Sequence, residues 1–163
     1  MNINKEEQTM CTRKAKKQDL MFLFDLRNDP AVRAVSFSTD EIDLQTHEKW
    51  FNKKLTDKNC LILIAEEKRR KIGQVRFDKD DNAQSAEVNI ALIQEFRGKG
   101  YGSNILKSAC QYAFKRFGLT SIIAHIKPDN TPSVRSFLKV GFRQIGVIEY
   151  KGTSCLEMIL EYD

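Results

Sequence analysis

Gln94-Glu95-Phe96-Arg97-Gly98-Lys99-Gly100-Tyr101-Gly102-Ser103 sets three alternate glycines between an apolar, strand-like run and a long amphipathic pattern. Glycine adopts positive φ without a Cβ clash and lets backbone amides come close to a ligand. The first turn of the helix that follows leaves N–H groups unpaired and adds the positive end of a dipole. Arg97 to Ser103 therefore forms a cradle for an anion, and phosphate oxygens suit it. Two phosphate loops fail the match. A Walker A loop needs Gly-x4-Gly-Lys followed by Ser or Thr, whereas Lys99 lies between glycines with Tyr101 soon after. A dinucleotide fingerprint needs Gly-x-Gly-x-x-Gly, but the third position after Gly98 and Gly100 is Ser103. What fits is Arg-x-x-Gly-x-Gly, carried by Arg97, Gly100 and Gly102 directly after the strand-like Glu87-Val88-Asn89-Ile90-Ala91-Leu92.

Outward from the cradle the periodicities are clear. Ile105, Leu106, Ala109, Cys110, Ala113, Phe114 and Phe117 recur at helical spacing, and Gly118 closes that helix in left-handed geometry. Ser121 to Ile126 is a buried-type strand, so strand, loop, helix and strand make a right-handed parallel crossover. Pro132 suits the first turn of a further helix that Gly141 ends, and strands near Phe142–Tyr150 and Ser154–Leu160 flank a turn at Lys151-Gly152. Upstream, a hairpin pairs Leu61–Ala65 with Ile72–Phe77, and a strand at about 86–93 turns Val88, Ile90 and Leu92 one way and Glu87, Asn89 and Ala91 the other. Before these come a first strand around Thr9 to Arg13 and three helices: Leu20 to Asn28, a short one from Ala31, and one capped by Asp43. The predicted order is βααα-βββ-α-β-α-ββ.

A second motif follows in the right order. Asn130-Thr131-Pro132-Ser133-Val134-Arg135-Ser136-Phe137-Leu138-Lys139-Val140-Gly141-Phe142 forms an Asn-x-x-Ser helix ending in Lys-x-Gly-Phe before a strand. Together, the two motifs resemble the coenzyme A site of the GCN5-related N-acetyltransferase (GNAT) family over roughly residues 60–160. The resemblance implies an α/β, single-domain acyl-CoA N-acyltransferase fold: a mixed, mostly antiparallel sheet with helices on both faces and the fourth and fifth strands splayed. It implies acetyl-CoA as donor. The pantetheine arm would pair with backbone groups of Ala91, Leu92 and Ile93, and the pyrophosphate would lie on amides from Arg97 through Gly98, Lys99, Gly100, Tyr101 and Gly102 to Ser103, with the Arg97 and Lys99 side chains adding charge. Asn130, Ser133 and Phe137 would line the other side, and Asn130 also reads as a helix cap.

The resemblance also assigns the chemistry. Glu87, at the acidic position that often works through water in the family, would be the base. Phe137 stands where the family's usual acid is a tyrosine, so Tyr150, Tyr101 or water supplies the proton, or the thiolate leaves unprotonated.

Acceptor choice would reside in the N-terminal helices and the last strand pair. Leu26 to Arg33, Ser36-Phe37-Ser38, His47 to Phe51 and Gly73 to Asp78 resemble the branch holding ribosomal-protein and amino-sugar acetyltransferases, closest to pseudaminic and related nonulosonic acid synthesis. This implies a 4-amino group on a nucleotide-linked deoxy sugar, with Arg27, Arg33, His47 and Trp50 as contacts. A peptide N-terminus, an aminoglycoside-type amine or a non-catalytic acyl-CoA module are the alternatives, and Trp50 and Phe51 also read as core.

Composition bounds the rest. At 163 residues, 41% hydrophobic and 30% charged, the chain reads as one domain, with acceptor-side helices over about 1–58 and an acetyl-CoA core over about 60–160. No apolar run approaches the ~20 residues of a membrane span, and the polar opening Met1–Gln8 lacks a signal-peptide pattern, which predicts a cytoplasmic protein. Cys11, Cys60, Cys110 and Cys155 form no Cys-x-x-Cys pair, and His47 and His125 have no ligand-like neighbours, so neither a metal nor a redox centre is expected. The net charge of +5 is spread out, with Lys68-Arg69-Arg70-Lys71 expected at a solvated hairpin tip. No aromatic residues interleave with the basic ones, which argues against nucleic-acid binding. The sequence leaves oligomeric state open, a homodimer included.

Overall fold

The computed structural model describes residues 10–163, so Thr9 of the expected first strand lies outside the described residues. In chain order the elements are β1 (Met10–Lys14), α1 (Leu20–Asn28), α2 (Pro30–Val35), α3 (Leu44–Thr56), β2 (Cys60–Glu67), β3 (Arg70–Lys79), β4 (Ser85–Leu92), α4 (Tyr101–Phe117), β5 (Ser121–Ile126), α5 (Thr131–Val140), β6 (Arg143–Tyr150) and β7 (Thr153–Glu161). This is the order that periodicity predicts. The strands form one seven-stranded sheet in the order β1-β2-β3-β4-β5-β7-β6. Every pairing is antiparallel except β4 with β5.

Alternation along the strands creates two apolar faces. Leu61, Leu63, Val75, Phe77, Val88, Ile122 and Ala124 form the floor under α4, whose Ile105, Leu106, Ala109, Cys110 and Ala113 are buried against it. Ile62 and Ile64 point the other way and pack under Leu23 of α1 and Phe51 of α3. Phe137 of α5 belongs to the first of these cores, 2% exposed and edge-on to Phe142 at 4.8 Å. That placement overturns its expected cofactor contact, because the ring is spent on packing.

The helix ends follow the sequence signals. Asp43 accepts from the Thr46 amide at 2.8 Å, and Gly118 and Gly141 end α4 and α5 at φ 62° and 115°. Lys68 and Arg69 make the hairpin turn at positive φ. Lys71, expected in solvent, instead forms an ion pair at 2.7 Å with the fully buried Asp19, which Arg13 also grips through its two terminal guanidinium nitrogens at 2.8 Å. Burial drives the Asp19 carboxyl up, but the bonds from Arg13, Lys71 and the Lys16 amide outweigh it and hold the group well below the usual carboxylate range. These contacts fasten α1 to the β1–β2–β3 end of the sheet.

The parallel pair positions the site. Only Ser85, Ala86 and Glu87 are in register with Ser121, Ile122 and Ile123. Beyond Glu87 the two strands part, leaving a gap bounded by the rest of β4 and of β5.

Candidate active site

Parity decides which backbone groups face the gap. In an antiparallel ladder, residues that exchange both hydrogen bonds with one neighbour alternate with residues that turn their groups to the other side. Ile93 donates to Ile72 O at 2.8 Å and Asp80 donates to Ser85 O at 3.2 Å. Residues 85, 87, 89, 91 and 93 therefore bond to β3, given the register Asp78↔Glu87 and Gln74↔Ala91. The groups turned to the gap belong to Ile90 and Leu92. This corrects the expectation for Ala91 and Ile93 and adds Ile90, which sequence reasoning missed because a strand's parity toward each neighbour is not encoded locally.

The cradle closes the end of that gap. Gly98 and Gly100 have φ of 71° and 82°, and nothing stands within 4 Å of where a Cβ would be at either. Gly100 is the N-cap of α4, so the amides of Tyr101, Gly102 and Ser103 open toward the loop without intrahelical acceptors. Gly102 serves packing, since a Cβ there would lie 3.6 Å from Ser136 Oγ and 3.7 Å from Leu92 Cδ1. Ser103 is buried and donates its hydroxyl to Gly100 O at 3.1 Å. Lys99 is exposed beside the loop.

The Arg97 guanidinium does not enter the cradle. Its Nε donates to Leu92 O at 2.8 Å, the carbonyl freed by the splay, and Nη2 lies 3.5 Å from Asp29. That Nη2 distance is an ion-pair contact without hydrogen-bond alignment, because the atom is buried with no hydrogen-bond partner. Tyr101 donates to Glu67 at 2.8 Å at the far end of β2, which removes it as a proton donor at Glu87. Asn130 caps α5 by accepting from the Ser133 amide at 3.4 Å.

Glu87 stands at the apex of the gap, on the face opposite α4. Tyr150 donates its hydroxyl to both Glu87 oxygens, at 2.9 and 2.8 Å. Burial first, then the Glu87 hydrogen bond, push the Tyr150 phenol well above its ordinary range, so it keeps its proton. Its ring stacks on His125 at 4.1 Å and meets Phe37 edge-on at 4.9 Å. His125 Nε2 lies 2.9 Å from Glu157, and Nδ1 lies 3.3 Å from Glu87 Oε1 without being aligned as a hydrogen bond. Sequence reasoning had set His125 aside. The available signal was its place in Ser121-Ile122-Ile123-Ala124-His125-Ile126, where parity turns it away from the apolar core.

The expected acceptor contacts divide. His47 is 2% exposed, packed among Phe24, Trp50 and Phe51, and burial lowers its basicity; it is a helix-packing residue, out of reach of a substrate. Arg27 donates to Asp40 O and Ser38, and Arg33 to Asn28 O and Thr39 O, so both brace the 36–42 loop. Trp50 alone of the four stays beside the sheet face that carries Glu87, with the Arg76 guanidinium 5.1 Å from its ring centre. Arg76 is fixed by Asp78, whose carboxylate also binds Lys54 at 2.8 Å.

A backbone cradle beside a splayed parallel pair matches the expected family. The sequence fits the family model for the acetyltransferase (GNAT) domain over residues 10–143. The chain belongs to the GNAT acetyltransferases. Among curated GNAT relatives it is 32% identical over 92 residues to the uncharacterized N-acetyltransferase YnaD of Bacillus subtilis, covering 56% of this chain and 48% of that protein, so the match spans about half of that relative's length. It is 29% identical to the putative phosphinothricin acetyltransferase YwnH of Bacillus subtilis, over 85% and 86% of the two chains. It is 25% identical to the spermidine N(1)-acetyltransferase of Vibrio cholerae, over 84% and 80%. In three dimensions it resembles the Vibrio cholerae spermidine N-acetyltransferase solved with CoA and spermine, at TM-score 0.85, 22% identity and coverage of 94% and 95%. An aminoglycoside acetyltransferase, AAC(6')-Ib with coenzyme A, superposes at TM-score 0.81, 16% identity and coverage of 93% and 94%.

As a GNAT enzyme this protein is an N-acetyltransferase that uses acetyl-CoA. Its residues fit that donor: two left-handed glycines open a cradle that a side chain would fill, and the backbone groups of Ile90 and the amide of Leu92 line the strand edge that β5 leaves unpaired. No described helix is long and apolar enough to cross a membrane. All four cysteines are free. Burial, with Asp78 adding to it, pushes the Cys60 thiol up to about 12, and burial alone does the same at Cys110.

Proposed function

We propose that this GNAT enzyme acetylates a primary amine on a nucleotide-linked amino-deoxy sugar, with Glu87 as base and Tyr150 as acid. The chemistry rests on one observation, the Tyr150 hydroxyl held on both Glu87 oxygens at the apex of the gap. Bound acetyl-CoA would supply an activated thioester; Ile90 and Leu92 would hold its arm and the Arg97–Ser103 amides its pyrophosphate, with Lys99, Asn130 and Ser133 beside them. Glu87 would take a proton from the acceptor amine, directly or through one water, and Tyr150 would give its own to the departing sulfur. The hydrogen bond between them lets Tyr150 recover a proton from Glu87.

The acceptor class is supported by the pairing of Trp50 with Arg76. Arg76 is anchored at Nε by Asp78, and its guanidinium lies over an indole on the same face as Glu87. Such a pair offers a stacking surface and a cation suited to a phosphate. Phe37 adds a second apolar wall. The same reading treats residues 1–163 as one acetyltransferase unit.

A second reading, a small multiply charged amine, is favoured by the carboxylates of Glu87, Glu157 and Asp78 on the same face and by the substrates named for the spermidine and aminoglycoside enzymes. A panel of nucleotide amino sugars, spermidine, aminoglycosides and peptides, assayed for thiol release from acetyl-CoA, separates them. The sugar reading expects the highest kcat/KM with a nucleotide amino sugar. A higher value for spermidine or an aminoglycoside overturns it in favour of the second. Acetyl-CoA binding without turnover of any amine would reject both.

A further inference from the structure

We propose that His125 and Glu157 form the exit route for the proton that acetyl transfer must release, His125 acting as a positioning residue through Glu87. The inference rests on the N-acetyltransferase reading. An alkylamine is an ammonium ion at neutral pH. The balanced reaction is ammonium plus thioester giving amide plus thiol plus one proton. Two protons leave the nitrogen: one ends on sulfur through Tyr150, and the other must reach water. Glu87 can hold only one at a time and needs somewhere to pass the first.

The geometry supplies that place. The His125 side chain is 10% exposed, with Nδ1 buried, lacking a hydrogen-bond partner and 3.3 Å from Glu87 Oε1. Nε2 lies 2.9 Å from Glu157 Oε2. With the ring proton on Nε2, directed at Glu157, Nδ1 is the vacant acceptor 3.3 Å from Glu87 Oε1, and the half-exposed Glu87 carboxyl swings into the ring plane for the transfer. Glu87 O–H then breaks as Nδ1–H forms, and the Nε2 proton passes to Glu157, whose side chain is 27% exposed and opens to solvent. The Tyr150 ring, stacked at 4.1 Å and 13°, fixes the imidazole plane. The titratable and charged groups around the pair are Tyr150 from β6, Lys151 from the turn after it, Glu157 and buried Cys155 from β7, and Asp78 and Arg76 from β3. No other imidazole is among these, so the route runs through His125.

His125→Phe, which keeps a flat ring in the stack, His125→Ala and Glu157→Gln test it in the full chain. With an ordinary alkylamine acceptor, kcat at neutral pH should fall about a hundredfold in His125→Phe, the scale of a lost proton-transfer partner, with KM for acetyl-CoA unchanged. The loss should shrink as pH rises. It should vanish with an acceptor of low basicity such as trifluoroethylamine, which is already neutral, and added imidazole should restore His125→Ala. Equal losses for both acceptors at every pH, without imidazole rescue, would mean that the ring only packs. A measurement independent of turnover uses the ring ¹⁵N signals at fixed neutral pH. Glu87→Gln should move the Nδ1 signal and Glu157→Gln the Nε2 signal; unmoved signals overturn the relay. Wild type inactive toward every amine would instead sink the acetyl-transfer reading, and the ¹⁵N result would still decide whether the contacts exist.

Discussion

Replacing Tyr150 by phenylalanine removes a single oxygen from the centre of the site. The ring remains, so its stack on His125 at 4.1 Å and its edge contact with Phe37 at 4.9 Å persist. What is lost is the hydroxyl donated to both Glu87 oxygens. A hydrogen bond to a charged group contributes about 1.5–3 kcal/mol when both partners are buried. The Glu87 side chain is 39% exposed, so water replaces the donor and the stability cost should be about 1 kcal/mol or less. The catalytic cost is larger: loss of a general acid lowers kcat by roughly 10²–10³. Thiol release under saturating acetyl-CoA measures this, and KM for acetyl-CoA should hold, because Tyr150 is remote from the cradle. The phenol is pushed above its ordinary range in the folded chain, so folding favours the protonated form. That contribution is fully present below about pH 10 and fades as pH rises through the folded value. Urea midpoints of wild type should therefore drop toward those of Tyr150→Phe above pH 10. A kcat close to wild type, with stability unchanged, would refute the assignment of Tyr150 as acid.

Three further outcomes are expected. Gly100→Glu puts a side chain and a negative charge in the cradle at φ 82°, and calorimetry should show acetyl-CoA binding weakened by at least about 1–3 kcal/mol; equal affinity would empty the proposed site. Asp19→Asn breaks a fully buried carboxylate held by Arg13 and Lys71, costing about 3 kcal/mol in urea unfolding, and the wild-type advantage, present above about pH 4, should disappear as pH falls through the depressed folded value. An advantage that survives at pH 1 would contradict the pairing. Gly73→Ala would bring a Cβ to 2.5 Å from Ala91 O and 2.6 Å from Leu92 Cδ2, so stability should fall by about 1–3 kcal/mol and KM for acetyl-CoA should rise as the gap edge shifts. Unaltered unfolding and KM would show that β4 yields freely there.

The readable parts of this protein are those written over short distances. Periodicity placed the strands and helices in order, glycines marked the cradle and the ends of α4 and α5, and Asp43 and Asn130 marked the starts of α3 and α5. Alternation sets Glu87 against Val88 and Ile90, while its role as base comes only from the family resemblance; Phe137 lacks a proton to give, as its sequence position shows, but only the fold places its ring in the core. The errors involve long-range placement: which backbone groups of β4 face the gap, and where individual side chains go. Arg97 reads as a phosphate ligand, but the splay strands the Leu92 carbonyl, and a buried carbonyl without a donor is costly enough to recruit the guanidinium. His47 has a helical spacing that suits either core or cleft, and only the positions of Phe24 and Phe51 decide between them.

The sequence by itself therefore determined the order of the elements and the glycine bend before α4, because backbone conformation and amphipathic period depend on neighbours a few residues apart, and its two motifs carried the family resemblance. The tertiary structure alone decided the polar cluster at the apex of the gap. Glu87, His125, Tyr150 and Glu157 come from four strands, and they meet because β4, β5, β7 and β6 lie side by side in a register fixed by burial of the opposite face.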